Sequence, residues 1–335
     1  MSQQKISLVV TSIAPPQKVL KALADGSSSN NIEFIVIGDV PSPKDFKLDG
    51  CDFYGLERQK ELPFTFATDC PLRHYSRKNI GYLQAIKNGA EIIIETDDDN
   101  IPREGFWKER TRKVDAQSVT DTGWINIYKY FSESNIWPRG FPIELIQKPS
   151  PAISADIKKL DCPIQQGLAD ENPDVDAIYR LVLPLPQNFK AGRIALGNNA
   201  WCPFNSQNTT FFKEAFPLLY LPSYCSFRMT DIWRSFVAQK IAWVNGWNIL
   251  FHESTVYQER NDHNLLKDFI DEIPGYVNNA KMCAELDKLD MKAGTEHIGA
   301  NMIKAYVKFV ELNLVDAREL PLLDAWLHDL KGLGI

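Results

Sequence analysis

An apolar run, Ile92-Ile93-Ile94, passes through Glu95-Thr96 into three consecutive aspartates, Asp97-Asp98-Asp99, followed by Asn100. The β-branched run reads as a buried strand, and a buried strand does not end in three adjacent carboxylates unless something receives them. Alternate side chains of an extended segment share a face, so Asp97 and Asp99 are expected to converge. Their mutual repulsion would be relieved by a hard divalent cation, Mg²⁺ or Mn²⁺, with open positions for a diphosphate. The competing reading is a solvated acidic turn. On the cation reading, Asp97→Ala or Asp99→Ala abolishes metal-dependent nucleotide binding and leaves the fold intact, because repulsion is relieved.

The pattern around this strand predicts an α/β protein. Ile6 to Ile13 and Ile32 to Ile37 read as buried strands separated by a short helix, Gln17 to Ala24, closed by Asp25-Gly26. Strand, helix, strand with buried runs implies a βαβ unit and a mostly parallel central sheet. Ligands of such sheets sit beyond the carboxyl ends of the strands, which places Ser12 and Asp39 at a site. Asp39 either accepts hydrogen bonds from a ribose or base or only closes a turn beside Gly38. Tyr75 to Asn88 reads as a helix with Ser76 as its cap and Gly89 as its terminator. Residues 101 to 150 read as largely irregular, and Gln147 to Pro163 as a surface excursion. Trp137-Pro138-Arg139-Gly140-Phe141-Pro142 is stiffened by its two prolines. Thr230 to Trp243 reads as a helix with Thr230 as N-cap and Asp231 in its first turn. Ile249 to Phe251 reads as a short strand ahead of His252, and the pattern from Asp262 onward is helical.

With a net charge of -6 and no basic block, the chain is not expected to bind nucleic acid. The six cysteines form no CxxC pair, which argues against a zinc or redox motif. They read as free thiols, with scattered disulfides as the alternative. Met1 to Lys5 runs into the first strand without the apolar core of a signal peptide, and no apolar run approaches the ~20 residues of a membrane span. The expected location is cytoplasmic, without a membrane span.

Several segments resemble the STELLO-type glycosyltransferases: Arg77 to Tyr82, Gly89-Ala90, Thr96 to Asn100, Trp137 to Pro142, Asp174 to Arg180 and Arg228 to Arg234. They fall in the family's order over roughly residues 75 to 260. A more distant resemblance is to the reversibly glycosylated polypeptides, which act as UDP-arabinopyranose mutases. It rests on the Asp triplet, Arg139-Gly140-Phe141-Pro142 and Asp231-Ile232-Trp233.

Both resemblances imply the GT-A (Rossmann-like) nucleotide-sugar transferase fold, here as a catalytic domain over residues 1–260 with an appended C-terminal helical extension over 261–335. They imply a metal-dependent glycosyltransferase that moves a sugar from a nucleotide sugar, taken as a UDP-sugar, to a saccharide or other hydroxyl acceptor. The alternatives are a pyranose–furanose mutase and a non-catalytic partner protein that keeps the fold. The Asp-x-Asp motif of that fold carries over onto Asp97 and Asp99 as ligands of Mn²⁺ or Mg²⁺, with Asp98 between them at the nucleotide. His252 is the positional match for a histidine that completes the metal site. Arg77 and Lys78 are expected at the nucleotide or its phosphates, or else as a solvated basic pair. Asp231 is the leading candidate for the base that activates an acceptor hydroxyl, with Asp174 and Asp176 in reserve or binding sugar hydroxyls. Arg139 matches the arginine that is glycosylated in the mutases; here it takes up sugar, binds phosphate or pairs with an internal carboxylate. Trp137 is suited to stacking on a sugar or to packing. The C-terminal helices offer a face for a homodimer.

Overall fold

The computed structural model describes residues 4–119, 121–197, 199–259 and 264–335. Asp262, where the helical pattern was placed to begin, lies outside these residues, as do Met1 to Gln3.

The chain opens with β1 (Ile6–Thr11), α1 (Lys18–Ser29), β2 (Glu33–Ile37) and β3 (Asp52–Tyr54). Short helices α2 (Leu56–Lys60) and α3 (Thr65–Asp69) lead to α4 (Lys78–Lys87) and β4 (Ile92–Thr96). Strand β1 pairs in parallel with β2 on one side and with β4 on the other. Alternate side chains of β1 divide between two layers, as the period of a strand requires. Val9 joins Ile80, Leu83 and Ile86 of α4. Leu8 and Val10 join Val19, Leu20 and Leu23 of α1. Gly81 lets α4 lie close on the sheet, since a Cβ there would stand 2.5 Å from Val9 Cγ1.

Helix α1 does not stop at Asp25-Gly26 but continues to Ser29. Gly26 is needed inside the helix, because a Cβ would lie 2.0 Å from the Trp107 ring. The segment before α4 also differs from expectation. Tyr75–Arg77 is a separate 3-10 turn, and His74 rather than Ser76 supplies the capping side chain.

The middle of the chain adds β5 (Asn100–Pro102), β6 (Lys113–Val119), β7 (Gly123–Trp124), β8 (Lys158–Asp161) and β9 (Ile164–Asp170). It continues through α5 (Ala177–Val182), β10 (Arg193–Leu196), β11 (Ala200–Trp201), β12 (Asn208–Phe212), α6 (Thr230–Val244) and β13 (Ile249–Gln258). The main sheet has the order β3-β2-β1-β4-β12-β9-β13-β10-β6-β8, with β5 on β13. It is parallel from β3 to β4, and β12 then enters antiparallel to both β4 and β9. The stretch expected to be irregular thus holds β5 and β6, and β8 lies in the expected surface excursion. The order β3-β2-β1-β4 fixes the position of a site. The chain leaves β1 in one direction and returns on its other side, so the carboxyl ends of β1 and β4 flank a topological switch point.

Helices α7 (Leu265–Asp287), α8 (Ile298–Glu311) and α9 (Glu319–Gly332) complete the chain. Their Met282, Leu286, Met302, Phe309 and Trp326 belong to the same apolar cluster as Val9 and Ile93, so they share the core of the α/β part. Buried carboxylates fasten the contact. Asp329 accepts from the amides of Thr65 and Phe66 at the start of α3, at 3.0 and 2.8 Å. Glu319 accepts from the amides of Ser223 and Tyr224. All six cysteines are free thiols. Among the described residues no helix is long and apolar enough to cross a membrane.

Candidate functional site

A cleft of about 620 Å³ opens at the switch point, lined in part by Ser12, Asp39, Asp97, Asp98, Asp99, Arg139, Asp174 and Asp231. Strand β4 ends at Thr96, and Asp98 and Asp99 form a turn rather than extended chain. The three carboxylates therefore reach three different partners instead of pairing by strand alternation. Asp97 Oδ1 accepts from Lys78 Nζ at 2.9 Å. Asp98 Oδ2 accepts from Ser12 Oγ at 2.5 Å, which ties the ends of β1 and β4 together. Asp99 Oδ2 accepts from Gln258 Nε2 at 2.9 Å. Burial raises the pKa of Asp97 above the usual carboxylate range, with Lys78 opposing and Asp231 and Asp98 adding to the rise. Burial also raises Asp98, against the hydrogen bond from Ser12.

Lys78 and Arg77 do not serve the cleft as expected. Lys78 is fully buried, and its ammonium is divided between Asp97 and the Thr96 carbonyl. Arg77 touches the cleft wall, but its guanidinium donates to Gln59 Oε1 and to the Cys70 carbonyl. Both cations turn inward because α4 begins against the sheet, where these carbonyls and side chains need donors.

The opposite wall is a clamp. A turn closed from Phe141 N to Pro138 O carries Arg139, with Gly140 at φ +88. Arg139 Nε and Nη2 each donate to Asp174 at 2.8 Å. Its Nη1 and Nη2 donate to Asp231 at 3.0 and 2.8 Å, and Nη1 also reaches the Arg228 carbonyl. All five N–H groups of the guanidinium are engaged. Of the three roles open to Arg139, pairing with internal carboxylates is the one its contacts fill. Asp231 also accepts from Ile232 N at 3.0 Å and Tyr75 Oη at 3.3 Å. Burial alone would raise Asp231, but Arg139 holds it at about 2. A carboxylate so stabilised is a poor proton acceptor, which weakens its reading as a base.

Three expected residues lie elsewhere. Trp137 and Asp176 are buried against each other, with Trp137 Nε1 donating to Asp176 Oδ2 at 2.7 Å. Asp176 caps α5 by accepting from Tyr179 N, so its role is architectural. His252 is not at a strand end, because β13 runs on to Gln258 through the polar His-Glu-Ser stretch. Its Nδ1 faces the Glu253 carbonyl, and Gln258 is the β13 residue that meets the triplet. No group of three His, Cys, Asp or Glu side chains among the described residues is arranged to hold a metal ion. A cation here would be held by one or two of the aspartates and completed by phosphate oxygens and water, a donor set that suits Mg²⁺.

Other cleft residues carried no sequence signal of a site role of their own: Gln17 and Tyr75 only open expected helices, Arg228 only heads the Arg228 to Arg234 segment, and His74, Phe227 and Gln258 lie in no motif. His74, Tyr75 and Phe227 form an aromatic group with centroids 5.0 to 5.5 Å apart. Burial lowers His74 to about 4, against Asp39, so its ring is neutral near pH 7.

The family model for STELLO glycosyltransferases matches residues 228–335. The chain is 25% identical to "Probable glycosyltransferase STELLO2" of Arabidopsis thaliana over 98% of its own length and 45% of that protein. It is 24% identical to "Probable glycosyltransferase STELLO1" of the same plant, over 98% and 44%. The resemblance read from residues 75–260 thus extends over nearly the whole chain, C-terminal helices included. The chain spans less than half the length of these relatives. Among solved structures, M. tuberculosis glucosyl-3-phosphoglycerate synthase is similar at TM-score 0.41 and 10% identity, over 83% of this chain and 81% of that one.

Proposed function

We propose that the switch-point cleft is the active site of a glycosyltransferase that takes a sugar from a nucleoside diphosphate sugar, a UDP-sugar, and passes it to a hydroxyl acceptor. The observation that carries this reading is the convergence of the Asp triplet and the Arg139 clamp on one cleft at the ends of β1 and β4. The similarity to the STELLO glycosyltransferases supports it.

In such a transfer the anomeric C–O bond breaks and its electron pair leaves with the diphosphate. A bond forms from the acceptor oxygen to the anomeric carbon, and the acceptor proton is released. A Mg²⁺ or Mn²⁺ ion held by Asp97 or Asp98 and Asp99 would neutralise charge on the departing diphosphate. Ser12 fixes Asp98, and Lys78 fixes Asp97, so the carboxylates are set before a ligand arrives. Asp39, at the end of β2, has its two oxygens on the amides of Val40 and His74 and is fixed for a ribose or base. The Asp174–Arg139–Asp231 clamp offers rigid acceptors for sugar hydroxyls.

The mutase alternative requires a nucleophilic nitrogen on Arg139. Two carboxylates raise the pKa of this guanidinium well above its ordinary value, against the cost of burial, and every N–H has an acceptor. That arrangement favours transfer over mutation. Incubation with a panel of UDP-sugars and Mn²⁺, without acceptor, tests the choice. Slow release of UDP and free sugar is expected. Ring contraction of the sugar nucleotide would establish the mutase instead, and no nucleotide binding by calorimetry would sink the enzymatic reading.

A further inference from the structure

The cleft needs a cation for an anionic donor, and Arg77, Lys78 and Arg139 are each committed to protein acceptors. Arg228 is different. It sits in the 3-10 turn Phe227–Met229 that enters α6, and it lines the cleft. Its Nε and Nη2 both donate to Glu272 Oε1, at 3.0 and 2.8 Å. Its own carbonyl accepts from Arg139. Its Nη1 has no protein partner among the described residues. Glu272 belongs to α7, outside the α/β part, and is fully buried. Its Oε2 accepts from Ala177 N at 2.7 Å and Tyr276 Oη at 2.6 Å. One buried carboxylate therefore ties together α5, α7 and the entry to α6. It grips the guanidinium by one edge and leaves the other open. A guanidinium already ordered in this way loses little freedom on meeting an anion, whereas Arg73, on the exposed rim, would have to be ordered by the ligand.

We propose that Arg228 is the side chain that meets the diphosphate of the donor through Nη1, and that Glu272 is the residue that positions it. The proposal rests on the nucleotide-sugar reading of the cleft. A charge-assisted hydrogen bond of this kind corresponds to about 10- to 100-fold in affinity.

The test is calorimetry on the full chain, in magnesium and in EDTA, with uridine and UDP and with guanosine and GDP. The double variant R228Q/E272Q removes both charges, so no buried ion is left alone. It should lose about 10- to 100-fold in diphosphate affinity and keep the wild-type affinity for the nucleoside. E272Q alone should show a smaller loss of the same selectivity. A purely structural role would weaken nucleoside and diphosphate alike, and that result overturns the proposal, as does unchanged diphosphate binding by the double variant. If circular dichroism shows the double variant unfolded, Arg228→Lys carries the test. It keeps a charge against Glu272 and removes Nη1, so the same selective loss is expected, and unchanged diphosphate binding overturns the proposal. A wild-type protein that binds no nucleotide overturns the cleft reading itself.

Discussion

The two acidic walls of the cleft solve one electrostatic problem in opposite ways. At the triplet, Asp97 and Asp98 each accept from one side chain among the described residues, and burial raises the pKa of both. At the clamp, Asp174 and Asp231 share one arginine with no N–H to spare, and Asp231 is driven down to about 2. Both walls are acidic in sequence, yet the second is neutralised by an internal arginine that both of its carboxylates share. What an acidic cluster can do depends on whether the fold has already supplied its counter-charge.

Removing Arg139 is the most severe way to break this contrast. Arg139→Ala leaves two buried carboxylates without a cation, and a loss of roughly 3–5 kcal/mol or more is expected in urea unfolding. Arg139→Lys, which keeps the charge and loses the fork, should fall between.

The triplet should split under the same kind of test. Asp97→Ala strands the buried Lys78 ammonium and should cost roughly 3–5 kcal/mol of stability. This expectation departs from the intact fold that the sequence alone predicts for the same variant. Asp99→Ala removes the carboxylate that accepts from Gln258 Nε2. With it gone, donor hydrolysis should fall about 100- to 1000-fold and lose its dependence on Mn²⁺. A wild-type thermal midpoint for Asp97→Ala would show that Lys78 does not depend on Asp97.

Asp176 sharpens the comparison within one loop, because it is buried two residues from Asp174 without an arginine. Burial raises it from 3.8 to about 7, with Glu272 adding to the rise. The folded state therefore holds a proton that the unfolded chain releases, and stability from this group is present at low pH and falls as pH rises from about 4 to 7. Wild-type unfolding should be easier at pH 8 than at pH 5 by roughly 2–4 kcal/mol, and Asp176→Asn should flatten that slope.

Asp231 has the opposite sign and the smallest effect. Its folded value of about 2 lies below the ordinary 3.8, so its contribution is complete above about pH 4 and is lost as pH falls toward 2. That contribution is roughly 2 kcal/mol. An acid limb in the wild type that Asp231→Asn leaves unaltered would show that Arg139 does not control this carboxylate.

The parallel half of the sheet was legible because its signals are local. Strands β1, β2 and β4 are β-branched runs, Gly89 takes φ +89 after α4, and Asp231 falls in the first turn of α6. The places of Ser12, Asp39, Asp97 and Asp231 on the cleft followed from strand ends and motifs. What escaped depends on contacts far apart in sequence. Gly26 sits inside α1 rather than ending it, and Trp107 occupies the space where a Cβ would stand. Lys78 points inward because the Thr96 carbonyl waits there. Strand β13 continues through His252-Glu253-Ser254 because β9 pairs with it on both sides of that irregularity. Arg228 looked like one more charge in a helix-start motif until Glu272, 44 residues later, was seen to hold it.

The two carboxylates of α9 have a practical consequence. Asp329 and Glu319 supply acceptors to backbone amides at residues 65–66 and 223–224, and Trp326 fills the core between them. A shortened version cut near residue 260 would keep every aspartate and arginine named for the cleft. It would also bare those amides and a broad greasy surface to water, and the scissors would yield aggregate instead of a minimal enzyme.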